Sequence, residues 1–156
     1  MGIRYTKATR EIIQFVEDYG FITINICSSI FYKNNKQRYN QARVKLKNLY
    51  DNKILKRWKH PYSGEFIYQF DCKRISDHSK YMLDLYAKIN LLVDKVDYFK
   101  LEEPWMDNAR RNDAHIVYVK DNLLGAFLVE FEKYNTTSVK KIDEIYESNE
   151  VTNSCK

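Results

Sequence analysis

A helix that runs within a few residues into a tight β-hairpin constrains this chain more than any other feature. Between Lys36 and Asn52 the apolar residues Tyr39, Ala42, Leu46 and Leu49 recur at three- and four-residue spacing, the period of one helix face. The open face then carries Arg38, Gln41, Arg43, Lys45 and Lys47. Directly afterwards "ILKRWKHPYSGEFIYQF" reads as strands at Ile54–Lys59 and Glu65–Phe70 around the turn residues "HPYSG".

Two further helices are expected upstream. "TKATREIIQFVEDYG" has apolar residues at 12, 13, 15, 16 and 19, with Thr6 or Thr9 to cap its start and Gly20 to end it. Phe21–Ile22 suits a short strand. Thr23 then caps a brief second helix that buries Ile26 or Cys27 and Ile30, and "KNNK" supplies the next turn. Helix, helix, helix and hairpin is the order of a winged helix-turn-helix, expected over residues 1–75.

Charge sharpens this reading. Phe31–Lys59 holds ten basic residues and one acid, Asp51. Up to Ile75 the chain has 15 Lys/Arg against 6 Asp/Glu; beyond it, 11 against 15. A charge run is usually a solvated face, but one sign dominating a segment of this topology points to double-stranded DNA. The third helix would enter the major groove, with Gln37, Asn40 and Gln41 towards base edges. Lys36, Arg38, Arg43, Lys45, Lys47, Arg57 and Lys59 would neutralise phosphates, and Tyr62 at the wing tip would touch backbone or minor groove. The alternative is a winged helix that docks protein.

"SKYMLDLYAKINLLVDKVDY" predicts a long amphipathic helix with apolar residues at 82, 85, 86, 89, 92, 93 and 96, capped by Ser76, Asp77 or Ser79. It forms a linker over residues 76–97, packing on the C-terminal half or pairing with a second copy in a homodimer. A small β-sheet/α subdomain is expected over 98–148. "DYFKLEEPW", "AHIVYVKD" and "LLGAFLVEFE" supply its strands and "TTSVKKIDEIYES" its helix, followed by a frayed tail at 149–156. The fold class is therefore α+β.

A two-residue turn at Asp121-Asn122 would set Lys120 against Leu123, His115 against Leu128 and Ile116 against Phe127. Asp113 then opposes Glu130, and Glu132 shares the face of Glu130. Such carboxylates invite a hard cation such as magnesium, with Asp113 and Glu130 as ligands. The plain alternative is a hydrated sheet edge without metal.

Other chemistry is not signalled. Four glycines form no phosphate loop, and no GxSxG occurs. His60, His78 and His115 have no zinc-ligand neighbour at a usable spacing. Cys27, Cys72 and Cys155 fit neither a disulfide framework nor a CxxC pattern. No signal-peptide pattern opens the chain. The charge-free run Phe21–Tyr32 is too short and polar to span a bilayer. A cytoplasmic protein with reduced thiols, no membrane partner and no cofactor is expected, magnesium entering only with a nuclease activity.

"RNDAHIVY" and "FLVEFEKYNTTSVKKIDEIYE" carry a resemblance. The chain resembles the replication-relaxation proteins of Gram-positive plasmids and conjugative elements. Those combine an N-terminal winged helix with a C-terminal domain of PD-(D/E)XK nuclease-like, that is restriction-endonuclease-like, fold, here truncated. The N-terminal half is also similar to small relaxosome DNA-binding proteins of clostridial conjugative plasmids. The resemblance implies Asp113, Glu130 and Glu132 as the acidic positions. It also shows two departures. Asn112 stands where the motif has proline, and Glu132 where it has the lysine that stabilises developing phosphorane charge. Lys133 points to the other face; Lys140 or Lys141 could reach back from the following helix. The departures imply the shape of a nuclease rather than its activity.

The implied function is a sequence-specific DNA-binding accessory protein of a plasmid, phage or conjugative element. It would mark an origin of transfer or replication and recruit a relaxase or replication initiator. The alternatives are a transcriptional repressor, a magnesium-dependent endonuclease, and a mobile-element inhibitor that binds a host protein.

Overall fold

The computed structural model describes residues 5–105, 110–131, 140 and 143–144. It is a mixed α+β structure whose chain divides into two compact units, one ending at Ala87 and the other beginning at Lys88.

The first unit opens with helix α1, Lys7–Tyr19. The Thr6 hydroxyl accepts from Thr9 N–H at its start, and Gly20, at φ 85°, ends it in the left-handed conformation that favours glycine. Ile12, Phe15 and Val16 form its buried stripe, each side chain contributing about 1.5–3 kcal/mol of burial. Strand β1 is Ile22–Thr23, and helix α2, Ile24–Phe31, follows without a gap. Thr23 ends the strand and caps the helix, its hydroxyl accepting from Ile26 N–H at 3.2 Å.

Helix α3 is Arg38–Asp51, reached through a turn in which Asn35 Oδ1 accepts from Gln37 N–H at 2.8 Å. It buries only Ala42, Leu46 and Leu49. Tyr39, expected in that stripe, is 52% exposed. It lies in the first turn of α3, ahead of the part of the helix that packs on the core.

Strands β2, Lys56–Lys59, and β3, Phe66–Gln69, form the expected hairpin, and β3 also pairs with β1, giving the sheet order β1-β3-β2. Both strands are shorter than their apolar pattern suggested. Ile54 and Leu55 instead donate their N–H groups to the Leu49 carbonyl, closing the end of α3. The hairpin loop is closed by His60 N–H to the Glu65 carbonyl at 2.8 Å, with Gly64 at φ 69°. The core joins Ile12, Val16, Phe21, Ile26, Leu46 and Ile67 with Met82 and Leu83 of helix α4, Asp77–Leu92.

Ser76 caps α4, its hydroxyl accepting from Ser79 N–H at 3.0 Å. The helix stops earlier than expected. Val96, assigned to the helical stripe, instead sits in strand β4, Lys95–Leu101. Leu92, also assigned to that stripe, is 71% exposed, whereas Leu83 and Ala87 take up the buried face.

The second unit is antiparallel. Strands β7, Ala114–Lys120, and β8, Leu123–Val129, form a hairpin beside β4 in the order β4-β7-β8. Strands β5, Pro104–Trp105, and β6, Arg110–Arg111, pair separately. Ala114, Ile116, Val117 and Val93 are buried. Of the helix expected over 136–148, Lys140, Asp143 and Glu144 are described, and these are helical. The tail at 149–156 lies outside the described residues. Among the described residues no helix is long and apolar enough to cross a membrane.

Candidate nucleic-acid interface

Helix α3 touches the core along one narrow stripe, so most of its circumference faces water. Gln37 occupies its N-cap position, but its side chain makes no capping bond. Lys36, Asn40, Gln41, Arg43 and Lys47 are exposed, and Arg38 is half-buried. Gln37, Gln41, Val44 and Asn48 follow one another at four-, three- and four-residue steps, and therefore share one exposed stripe. Val44 and Asn48 were not singled out in the sequence. The signal was there in their spacing from Gln41, and Val44 is 54% exposed.

The cations of this region differ in what they do. Arg43 Nη2 donates to Asn40 Oδ1 at 2.9 Å across one helical turn. Lys47 pairs with Asp51 at 2.5 Å, an exposed pair of the kind worth little to stability. Lys45 is not on the open face. It is half-buried, and its Nζ donates to Thr9 Oγ1 at 3.1 Å, fastening α3 to α1. The long lysine stem follows apolar surface until its head meets a hydroxyl.

On the hairpin, Lys59 is exposed and Tyr62 at the turn is 81% exposed. Arg57 is not a free phosphate hook. Its guanidinium lies 4.4 Å from the ring centroids of both Tyr50 and Phe66, joining the end of α3 to the hairpin by cation–π contact.

The loop end of the hairpin is held by charge. Lys80, only 8% exposed, contacts Glu65 Oε2 at 2.8 Å and Asp84 Oδ2 at 2.7 Å. Asn25 Nδ2 donates to Glu65 Oε1 at 2.7 Å. Burial works against charge on Glu65, but hydrogen bonds from Lys80, Asn25 and Ser63 outweigh it and hold the carboxyl below its ordinary value. Burial likewise opposes charge on Lys80, and Asp84 and Glu65 outweigh it, raising the ammonium. Helices α2 and α4 are thus both tied to the hairpin.

The carboxylate hairpin of the second unit has the expected register. Lys120 pairs with Leu123, His115 with Leu128 and Ile116 with Phe127, and the ladder ends at Ala114 with Val129; there the Asp113 N–H also meets the Val129 carbonyl, one residue off that register, so the expected opposition of Asp113 and Glu130 is not among the pairs. The turn residues Asp121 and Asn122 have φ 52° and 63°, as a two-residue turn with both central residues left-handed requires.

Asp113 is engaged in holding backbone. Its N–H donates to the Val129 carbonyl at 3.0 Å, and its carbonyl accepts from Glu102 N–H at 3.1 Å. Its Oδ2 accepts from Phe131 N–H. Glu130 is half-buried with Oε1 sealed from solvent. Among the described residues no group of three His, Cys, Asp or Glu side chains is placed to hold a metal. Glu132, Lys133 and Lys141 lie outside the described residues. Lys140 is exposed and 3.9 Å from Glu144.

His115, read as isolated, has a partner that sequence spacing did not indicate. Its Nδ1 lies 2.5 Å from Glu103 Oε2, and Tyr98 donates to the other oxygen of Glu103. Burial opposes the Glu103 charge, but Tyr98, His115 and Lys100 outweigh it and lower this carboxyl as well. The cross-strand pair Lys100–His115 brings these groups to one face of the sheet.

Set against models of protein families, curated proteins and solved structures, the chain matches none.

Proposed function

We propose that the first unit is a winged helix-turn-helix that binds double-stranded DNA at a specific sequence, with α3 in the major groove and the β2–β3 hairpin as the wing. One observation carries this reading: α3 shows solvent a face of Gln41, Val44 and Asn48 flanked by Asn40, Arg43 and Lys47. Amides of this kind read adenine edges, and an exposed β-branched side chain suits the thymine methyl. Arg43 and Lys47 serve phosphates, with Lys36, Lys59 and Tyr62 beside them. Lys45 and Arg57 are positioning residues on this reading, since one is spent on Thr9 and the other on two rings.

The protein then acts as an accessory factor on a plasmid, phage or conjugative element. It marks an origin and recruits a relaxase or replication initiator in the cytoplasm. A transcriptional repressor would use the same surface. The second unit on this reading is a truncated restriction-endonuclease-like fold, and a magnesium-dependent endonuclease is the alternative to a binding protein.

The test is selection from a random duplex library in the presence of magnesium, at two salt concentrations. Enrichment of one sequence in intact DNA, with affinity falling as salt rises, is expected. Arg43→Ala should weaken binding to every sequence and reduce the salt slope by about one. Gln41→Ala or Val44→Ala should relax the selected sequence instead. Failure to enrich any sequence would overturn the reading. Cleavage that Glu130→Ala abolishes would establish the nuclease in its place.

A further inference from the structure

The β2–β3 hairpin has a second face, of which the DNA-binding reading uses only Tyr62. Residues 58, 60 and 62 alternate along the strand and into the turn, which sends Trp58, His60 and Tyr62 to the side opposite Arg57. Their rings follow one another at centroid separations of 6.0 Å, Trp58 to His60 and His60 to Tyr62. Together with Cys72, Arg74 and Asp77 they line a cleft of about 420 Å³. This volume falls within the range of small-ligand sites.

The lining also offers hydrogen-bond donors. Trp58 lends ring surface only, its Nε1 being sealed from solvent. His60 Nδ1 receives Ser63 N–H at 3.2 Å, so the neutral ring carries its proton on Nε2, a donor. Arg74 is an exposed member of the lining and presents a planar guanidinium suited to an oxyanion. Asp77 is the one acid among the described lining residues, so a ligand that also carries a ring-edge donor suits the cleft better than a plain anion.

We propose that this cleft binds a free purine nucleoside monophosphate. Its base stacks on Tyr62, the most exposed of the three rings, with the edges of His60 and Trp58, tilted 61° and 38° in turn, behind it; its phosphate meets Arg74, and its exocyclic amine meets Asp77. The imidazole N–H finds an acceptor on the ligand. The site is independent of α3, so its occupancy can be measured without DNA.

The experiment uses the full chain carrying Trp105→Phe, which leaves Trp58 as the only tryptophan. Adenosine 5′-monophosphate and guanosine 5′-monophosphate are titrated against its fluorescence. At least one should produce a saturable change with a Kd below about 1 mM. Adenosine and inorganic phosphate should each bind at least about tenfold more weakly, as should the nucleotide to Arg74→Ala. Circular dichroism establishes that Arg74→Ala is folded. Tyr62→Ala, at an exposed turn, gives a second variant with the same expected loss. A response from both nucleotides that stays linear to about 10 mM, or affinity unchanged in both variants, would overturn the proposal. Equal competition by single-stranded tetradeoxyadenylate would assign the site to nucleic acid and overturn the free ligand.

Discussion

Lys80 shows how one side chain decides local stability. It is a buried cation held by two carboxylates, and neither partner can leave without stranding charge. Lys80→Met keeps the apolar stem but abandons Glu65 and Asp84 beside each other. A loss of about 1–3 kcal/mol in urea unfolding is expected. Two pH limits also follow. The Glu65 contribution is complete above the ordinary carboxylate value and is lost as pH falls through its lowered one. The Lys80 contribution is complete below the ordinary lysine value and is lost as pH rises through its raised one. The network therefore persists across the neutral range. At the same scale, Lys45 and Arg43 lie two positions apart on one helix and look alike in the sequence. Only the partner of Lys45, thirty-six residues upstream at Thr9, separates them. No local pattern encodes so distant a hydroxyl.

Among the elements, the β7–β8 hairpin was the most legible and α4 among the least. A two-residue turn fixes every later pair, and Asp-Asn tolerates the left-handed conformation the turn requires. Asp94 reinforces it, Oδ2 accepting from Asp121 N–H at 2.7 Å. Asn122→Val places a β-branched residue at φ 63° and should cost about 1–2 kcal/mol in thermal or urea unfolding. Gly125 is constrained differently. It pairs with Tyr118, whose ring stacks on Phe127 at 4.9 Å. A Cβ at Gly125 would stand 2.5 Å from Tyr118 Cζ. Gly125→Ala should therefore swing the far end of the half-exposed Tyr118 off that stack, changing stability in urea unfolding by less than about 1 kcal/mol. Helix α4 misled because its apolar stripe continues in sequence past its end. Val96 fits a helical period and a strand period equally, and only the pairing of β4 with β7 distinguishes them. Tyr39 misled for a related reason. Spacing gives the angle around a helix but not how far along it the core extends.

For the whole molecule, charge and acid response divide along the chain. The basic excess lies before Ile75 and the acidic excess after it. Among the described residues each unit nevertheless has a carboxylate held below its ordinary value, Glu65 in the first and Glu103 in the second. Both contributions are lost as pH falls through those lowered values. Glu65→Gln and Glu103→Gln should each flatten the dependence of unfolding free energy on acid pH. Their effects should add, because the two glutamates share no partner among the described residues. Equilibrium unfolding between neutral pH and about pH 3 checks this.

The tie from Asn25 and Lys80 to Glu65 has one more consequence. It anchors the loop end of the β2–β3 hairpin to two helices at once. A double helix laid against α3 would meet a hairpin with little freedom to swing. Any remaining misfit falls to the DNA, through a narrowed groove or a kink at a flexible pyrimidine–purine step. Base pairs that no side chain touches would then still matter to affinity, through the stiffness of the DNA itself.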